Sequence, residues 1–351
     1  MKDKEFGYAM KALRMVIRRE WHRMTSRRLY LGVCVVLPLL CLFFMATIFG
    51  NGQMENIPVG IVDLDNTATS RNISQRISAA PTFRVTKHFT DEANARRALQ
   101  RKDIYGYLVI PLRFEQKAVT GTGATLTYYY HYALLSVGSE LMAAFENTLA
   151  PVALSPIVMQ AEALGVSGEQ IQTFLLPVEA STHPLYNPDM DYSIYLSQPF
   201  FFVLFQILIL LTTVYSIGSE LKFGSAGEWL EMARGNILTA VAGKLLPYTL
   251  IFSSIGILAN YVLFGPLHIP FAGSLWLMNA VTVLFIIATQ ALAVFIYSVF
   301  PKIAYIISVV SMVGSLGATL SGVTFPVTAM YAPVHAASYL FPVRHFTEAA
   351  Q

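Results

Sequence analysis

The chain has 351 residues, of which 55% are hydrophobic and only 13% charged, and its mean hydropathy is +0.53. Soluble domains carry roughly a quarter charged residues, so this composition excludes an ordinary soluble enzyme and points to several membrane spans. The net charge of +3 says little as a total, because the basic residues cluster at particular places.

Residues 1–28 are strongly basic, and Phe6, Met10, Leu13, Ile17, Trp21 and Met24 recur at three- and four-residue steps. That pattern predicts an amphipathic interfacial helix lying in the cytoplasmic headgroup layer. Its continuity with a membrane span argues against nucleic acid as the partner of the basic run. Leu29–Phe49 is uncharged and of bilayer length, the first transmembrane helix (29–49). The long basic lead and the lack of a small-x-small cleavage site mark it as a retained anchor and not a signal peptide. Cys34 and Cys41 both lie in it. Seven residues apart on one helix, they stand about 10 Å from each other, too far for a disulfide.

Residues 50–196 read as a different kind of domain, α/β at first and helical in its second part. Strands are expected at Ile57–Val62, Phe83–His88, Ile104–Ile110 and Ala124–Tyr130, with helices between them. Thr90 is expected to cap one helix, with Asp91 and Glu92 in its first turn. From Ala133 to about Phe174 the pattern turns helical, with breaks expected at Pro151, Pro156 and Gly165–Gly168.

Residues 197–351 are nearly all membrane, with spans expected at about 199–217, 245–264, 275–300 and 303–320. The basic N-terminus, the 218–244 loop with Lys222, Arg234 and Lys244, and Lys302 fall on one side; the Gly265–Ser274 turn, without a basic residue, falls on the other. The positive-inside rule then places the N-terminus in the cytoplasm of a multi-pass protein and the 50–196 domain outside it. None of the expected spans contains an Asp, Glu, Lys or Arg. Carriers driven by protons or sodium place such groups at mid-membrane, so movement driven from outside the membrane plane fits better, with a path suited to hydrophobic or amphipathic molecules. After the last span, Pro326, Pro333 and Pro342 cut residues 321–351 into pieces too short to cross, which read as outer re-entrant segments.

The 218–244 loop carries nearly all the charge of the C-terminal half. Glu220 is expected to pair with Lys222 or Lys244, and a short amphipathic segment sets Trp229, Leu230 and Met232 against Glu228, Glu231 and Arg234. Such a loop can serve as a handle by which a cytoplasmic protein moves the spans. An interfacial helix anchored in headgroups is the plainer alternative.

Catalytic motifs are few. Asp63-Leu64-Asp65-Asn66-Thr67 at a strand end has the Asp-x-Asp-x-Thr form of phosphatases whose first Asp is a nucleophile, but no later acidic pair completes such a site. An Asp-Asn turn capping the following helix accounts for it better. No phosphate loop of the Gly-x-x-x-x-Gly-Lys-Ser/Thr type occurs, and the seven histidines show no metal-ligand spacing. The run Tyr128-Tyr129-Tyr130-His131-Tyr132 reads as an aromatic strand with alternate residues buried.

Four stretches carry a resemblance that covers almost the whole chain: IPVGIVDLDNTATSRNISQRI (Ile57–Ile77), IYGYLVIPLRFEQKAVTG (Ile104–Gly121), YNPDMDYSIYLSQPF (Tyr186–Phe200) and the Gly218–Pro247 loop with its Glu, Gly-Ser, short helix and Gly-Lys-Leu. Together they resemble the permease subunits of type-2 ABC exporters, in the group with a large extracytoplasmic domain after the first span. The resemblance implies a polytopic α-helical membrane protein with an inserted α/β domain, resident in the bacterial inner membrane. It implies a second permease subunit, identical or different, and a separate ATPase subunit that binds ATP and Mg while this chain binds no cofactor. A periplasmic adaptor is a further implied class of partner. Glu228, Trp229, Leu230, Glu231 and Arg234 become the expected ATPase contacts. The family has a sixth span after the Pro-Val-Arg-His-Phe region, and this chain ends before it, as a C-terminal truncation would leave it. A non-transporting receptor or assembly scaffold, using the extracytoplasmic domain to bind ligand or partner, is the competing function.

Overall fold

A computed structural model describes residues 2–48, 54–120, 122–163, 187 and 191–350. Two units are present: residues 53–190, and the remainder of the chain on either side of them.

The inserted unit is a four-stranded sheet in the order β2-β1-β3-β4. It comprises β1 (Ile57–Asp63), α3 (Ala68–Ala79), β2 (Phe83–Phe89), α4 (Glu92–Gln100), β3 (Gly106–Ile110), α5 (Phe114–Thr120), β4 (Thr127–Tyr130) and α6 (Leu135–Ala163). β1 pairs in parallel with both β2 and β3, and β4 runs antiparallel to β3. Because β1 and β3 are central, they are apolar on both faces. Val59, Ile61, Leu108 and Ile110 pack with Ile73, Ile77 and Phe145, while Val62, Tyr107 and Val109 pack with Ala95 and Ala98 on the other side. The aromatic rings alternate between the two faces, Tyr128 stacking on Phe145 and Tyr129 on Tyr107, but the expected burial of alternate residues does not occur: on the edge strand β4, Tyr128, Tyr129 and Tyr130 all remain partly exposed. Two further expectations need correcting. The breaks at Pro151 and Pro156 do not occur, since α6 continues to Ala163; the expected break at Gly165–Gly168 lies outside the described residues. Asp91, not Thr90, is the cap of α4, its carboxylate accepting the Asn94 N–H at 2.7 Å.

The Asp63–Thr67 turn is also wired differently from a simple cap. Thr67 caps α3, its hydroxyl and that of Ser70 exchanging bonds with each other's main-chain N–H. Asp63 accepts the N–H groups of Asp65 and Asn66 and the Ser70 hydroxyl. Asp65 reaches across to α5, where its two oxygens accept the N–H groups of Phe114 and Glu115 at 3.0 Å each. Burial opposes ionisation of Asp65, but the N–H of Glu115, the Thr67 hydroxyl and the N–H of Phe114 outweigh it and hold the carboxyl below its ordinary value. The stability this carboxylate confers is complete above the ordinary carboxylate range, about pH 4, and is lost as pH falls through the lowered value. Asp65→Asn keeps one accepting oxygen and turns an NH2 group toward the other N–H, so it is expected to weaken the start of α5 by about 1 kcal/mol at neutral pH. Amide exchange at Phe114 and Glu115 should accelerate several-fold in the variant. That difference from the native chain should close in strong acid.

The second unit holds α1 (Lys2–Ser26), α2 (Arg28–Ile48), α7 (Tyr192–Lys222), α8 (Ala226–Met232), α9 (Ile237–Phe264), α10 (Leu275–Val299), α11 (Ile303–Leu320), α12 (Ala332–Ser338) and α13 (Pro342–Ala350). Among the described residues five helices are long and apolar enough to cross a membrane: Arg28–Ile48, Ser193–Lys222, Ile237–Phe264, Leu275–Val299 and Ile303–Leu320. The protein is thus a multi-pass helical protein with a four-stranded insert between its first and second spans. α7 is the central post, the most buried of the five. It buries Gln206, Thr213, Ser216 and Ser219 against its neighbours and packs its phenylalanines onto α9, α10 and α13. Close approach is allowed where glycine faces a neighbour: a Cβ at Gly256 would stand 2.6 Å from Thr282 of α10.

α7 and α9 extend beyond the apolar stretches that marked them. Hydropathy locates only the uncharged part, whereas the helical hydrogen bonds continue through Glu220, Lys222 and Lys244. The expected 218–244 loop is consequently two helix ends with α8 between them. The C-terminal pieces are built into the bundle. Gln206 accepts the Val343 N–H at 2.9 Å, the Phe346 ring packs tilted against Phe202, and the buried Arg344 donates to the His335 carbonyl and lies over Tyr339.

Candidate functional site: an ion-paired junction of three helices

α1 does not lie apart as a flat amphipathic helix. Its contacts climb in step with the start of α9: Tyr8 lies under Arg234, Val16 meets Gly243, and Glu20 reaches Lys244 and Tyr248. The two helices run side by side in the same direction. The face turned to α9 is Ala12, Val16, Glu20 and Met24, all buried. Of the apolar face expected from periodicity, Met24 packs inward while Met10 and Trp21 are exposed. Gly243 makes the approach feasible, since a Cβ there would stand 2.8 Å from Val16.

Where α1, α7 and α9 meet, five charged side chains close on one another. Lys244, with no exposed surface, donates to Glu20 at 2.7 Å and Glu220 at 2.6 Å. Arg19 grips Glu220 with both terminal nitrogens, at 2.9 and 3.0 Å, and Arg23 and the Ser225 hydroxyl add further bonds to the same carboxylate. Tyr248 donates to the second oxygen of Glu20 at 2.7 Å. Three cations face two anions, so the junction carries one surplus positive charge. Every member is tied to at least one opposite charge, as burial requires. Such a cluster adds little net stability over apolar packing, but it fixes which faces of the three helices meet.

The connection from α7 to α9 is shaped around this junction. Gly224 and Gly235 take positive φ (67° and 75°) and turn the chain into and out of α8. Asn236 caps α9, its side chain accepting the N–H groups of Leu238 and Thr239. Trp229 of α8 faces inward. It is 6% exposed, packs with Val16, Ala233 and Ala240, donates its indole N–H to the Ala240 carbonyl at 3.1 Å, and has the Lys244 ammonium 5.4 Å from its ring.

The expected contact residues therefore divide. Trp229 is a structural pin and not a surface contact, because α1 and α9 cover it. Glu228, Leu230, Glu231 and Arg234 are exposed, the last lying over Tyr8. Glu220 meets Lys244, while Lys222 points outward beside the ring of Phe223. Leu221, Phe223, Ile237 and Leu238 are exposed around α8, from 54% to 78% of their surface. The outer face of α8 is thus acidic with an apolar surround, directly over a buried charge cluster. Arg19, Glu20, Arg23 and Tyr248 escaped the reading of the sequence. Glu20 had one signal: between residues 6 and 28 it is the lone acid in a basic run, in helical step with Val16 and Met24.

No group of three metal-ligating side chains occurs among the described residues. The carboxylates of Asp63 and Asp65 are committed to N–H and hydroxyl donors within their own turn and α5.

The chain matches the family described as ABC-2 family transporter protein over residues 28–351. No curated protein and no solved structure matches it.

Proposed function

Because the chain belongs to the ABC-2 family of transporter proteins, we propose that it is the membrane half of an ATP-driven exporter and that a partner ATPase acts on it through α8 and the ion-paired junction. ABC-2 permeases pair with ATPase subunits and typically lack ATPase activity themselves, so ATP and Mg belong to the partner. Two such permease subunits, identical or different, would frame the path, with α1 and α8 in the cytoplasm of a bacterial inner-membrane protein and the inserted domain outside. A periplasmic adaptor would meet the assembly on that outer side.

The observation that carries this reading is the buried contact of Glu220, at the end of the central helix, with Arg19 and Lys244 of two other helices. A push on α8 reaches Glu220 through Ser225, and Glu220 cannot move without taking α1 and α9 along. The exposed Glu228, Leu230, Glu231 and Arg234 offer the docking surface. Polar residues of α7 face inward while the exposed surfaces of the spans are apolar, which supports a hydrophobic or amphipathic cargo moved by rocking of helices.

The test is retention of a co-expressed ATPase subunit of an ABC-2 transporter during purification. Charge reversal at Glu228 and Glu231 together, with Leu230→Ala, should leave membrane insertion unchanged and weaken ATPase retention about tenfold or more, as loss of interface anchors does. Unchanged retention would remove α8 as the docking surface. A receptor or scaffold would show no ATP-dependent export in vesicles with either chain.

A further inference from the structure

In open α/β sheets, ligands bind beyond the carboxyl ends of the parallel strands, at the point where strand order reverses. Here that point lies between β1 and β3, and the N-terminus of α5, where an anion would sit, is already occupied by the chain's own Asp65 carboxylate. The open space is on the other side of β1. A cleft of about 690 Å³ lies between α3 and the carboxyl ends of β1 and β2, within the size range of small-ligand sites.

A bulge in β2 shapes this cleft. Val59 pairs with Val85 but Gly60 pairs with Lys87, so Thr86 is an extra residue, its hydroxyl tied to the Val59 carbonyl. Without it, His88 would point to the α4 side of the sheet. With it, His88 pairs with Ile61 and shares the α3 face. Bulges are used to re-aim a side chain in this way. Facing His88 are Arg71 and Gln75 of α3, one turn apart, and Asn66, Ser74, Ser78 and Thr90 also line the cleft. Among the described residues the side chains of Asn66, Gln75, His88 and Thr90 have no hydrogen-bond partner in the protein, and Arg71 uses one nitrogen on the Asn66 carbonyl. Ser74 and Ser78 donate to carbonyls of α3 and keep lone pairs free.

Amides that both donate and accept, free hydroxyl lone pairs, one guanidinium and one carboxylate make a lining that suits hydroxyl groups. It suits neither a naked anion nor an apolar molecule. We propose that this cleft binds a neutral, hydroxyl-rich ligand of the sugar type, with Gln75 and His88 as its principal contacts. The proposal is independent of the docking role of α8.

Saturation-transfer NMR on the full-length chain in nanodiscs, with glucose, N-acetylglucosamine and maltose as probes, tests it. Transfer to at least one sugar is expected, reduced about tenfold in the Gln75→Leu/His88→Leu variant. Both positions are exposed, and an unchanged circular dichroism spectrum distinguishes loss of binding from misfolding. Absence of transfer to all three sugars overturns the proposal, as does transfer undiminished in the variant. Displacement of the bound sugar by inorganic phosphate at equal concentration overturns the neutral-ligand assignment in favour of an anion site.

Discussion

Glu220→Gln is expected to destabilise the full-length protein more than any other single charge removal. The substitution keeps size and shape but takes from Arg19 and Arg23 the carboxylate they share and leaves Lys244 with Glu20 alone, in a region where Glu220, Lys244 and Glu20 have at most 1% exposure. Removing one partner of a buried charged cluster costs about 3–5 kcal/mol. For a unit of this size that corresponds to a fall in thermal midpoint on the order of 10 °C. Added salt should restore little of the loss, because buried charges are poorly screened. Adding Arg19→Gln and Arg23→Gln removes the surplus positive charge and leaves Lys244 paired with Glu20, so most of the stability should return. ATP-driven transport should not return with it, because α7 has then lost its charged link to α1. A Glu220→Gln protein as stable as the native chain would mean that the junction is not closed in the membrane. Recovery of transport in the triple variant would separate the junction from coupling.

The architecture was legible because it is written in local patterns. Four strands lie within a few residues of their expected positions, since β1 and β3 are short apolar runs bounded by turn residues and β4 alternates aromatic rings between its faces. The five spans follow from apolar length alone. Their ends did not, since a helix continues for as long as its hydrogen bonds are satisfied, and Glu220 and Lys244 both sit on helix beyond the apolar stretch.

The junction was hidden for a different reason. Glu20 and Lys244 are separated by 224 residues and Arg19 and Glu220 by 201. Nothing in the local pattern of either segment says that α1 stands beside α9. The periodicity of α1 marks Met10 and Trp21 as part of an apolar face for the headgroup layer, and it gives no sign that Ala12, Val16 and Glu20 join Met24 on the face that meets α9. Glu20 is buried on a partner that the sequence places far away. The same covering helix explains why Trp229 read as a surface anchor: amphipathicity identifies an apolar side, and only the tertiary contact tells whether that side is already filled.

Trp229→Ala is the substitution that separates the packing of α8 from the docking role proposed for it. The indole is nearly covered by Val16, Ala233 and Ala240 and holds α8 to α9 through its N–H bond to the Ala240 carbonyl. Truncating a buried tryptophan costs about 3–5 kcal/mol, and α8 is only seven residues long, too short to persist without tertiary packing. The expected result is a loosened Gly224–Asn236 segment, cut by protease well before the rest of the chain, with ATP hydrolysis uncoupled from export. Trp229→Phe keeps the packing but leaves the Ala240 carbonyl without its donor, so a smaller loss of about 1 kcal/mol and partial coupling should follow. Glu228→Arg should show the opposite pattern: a protease-resistant α8, normal thermal stability and reduced ATPase retention. If Trp229→Ala leaves the segment protected and export coupled, α8 is held by something other than this pin, and force from a docked partner does not reach Glu220 through it.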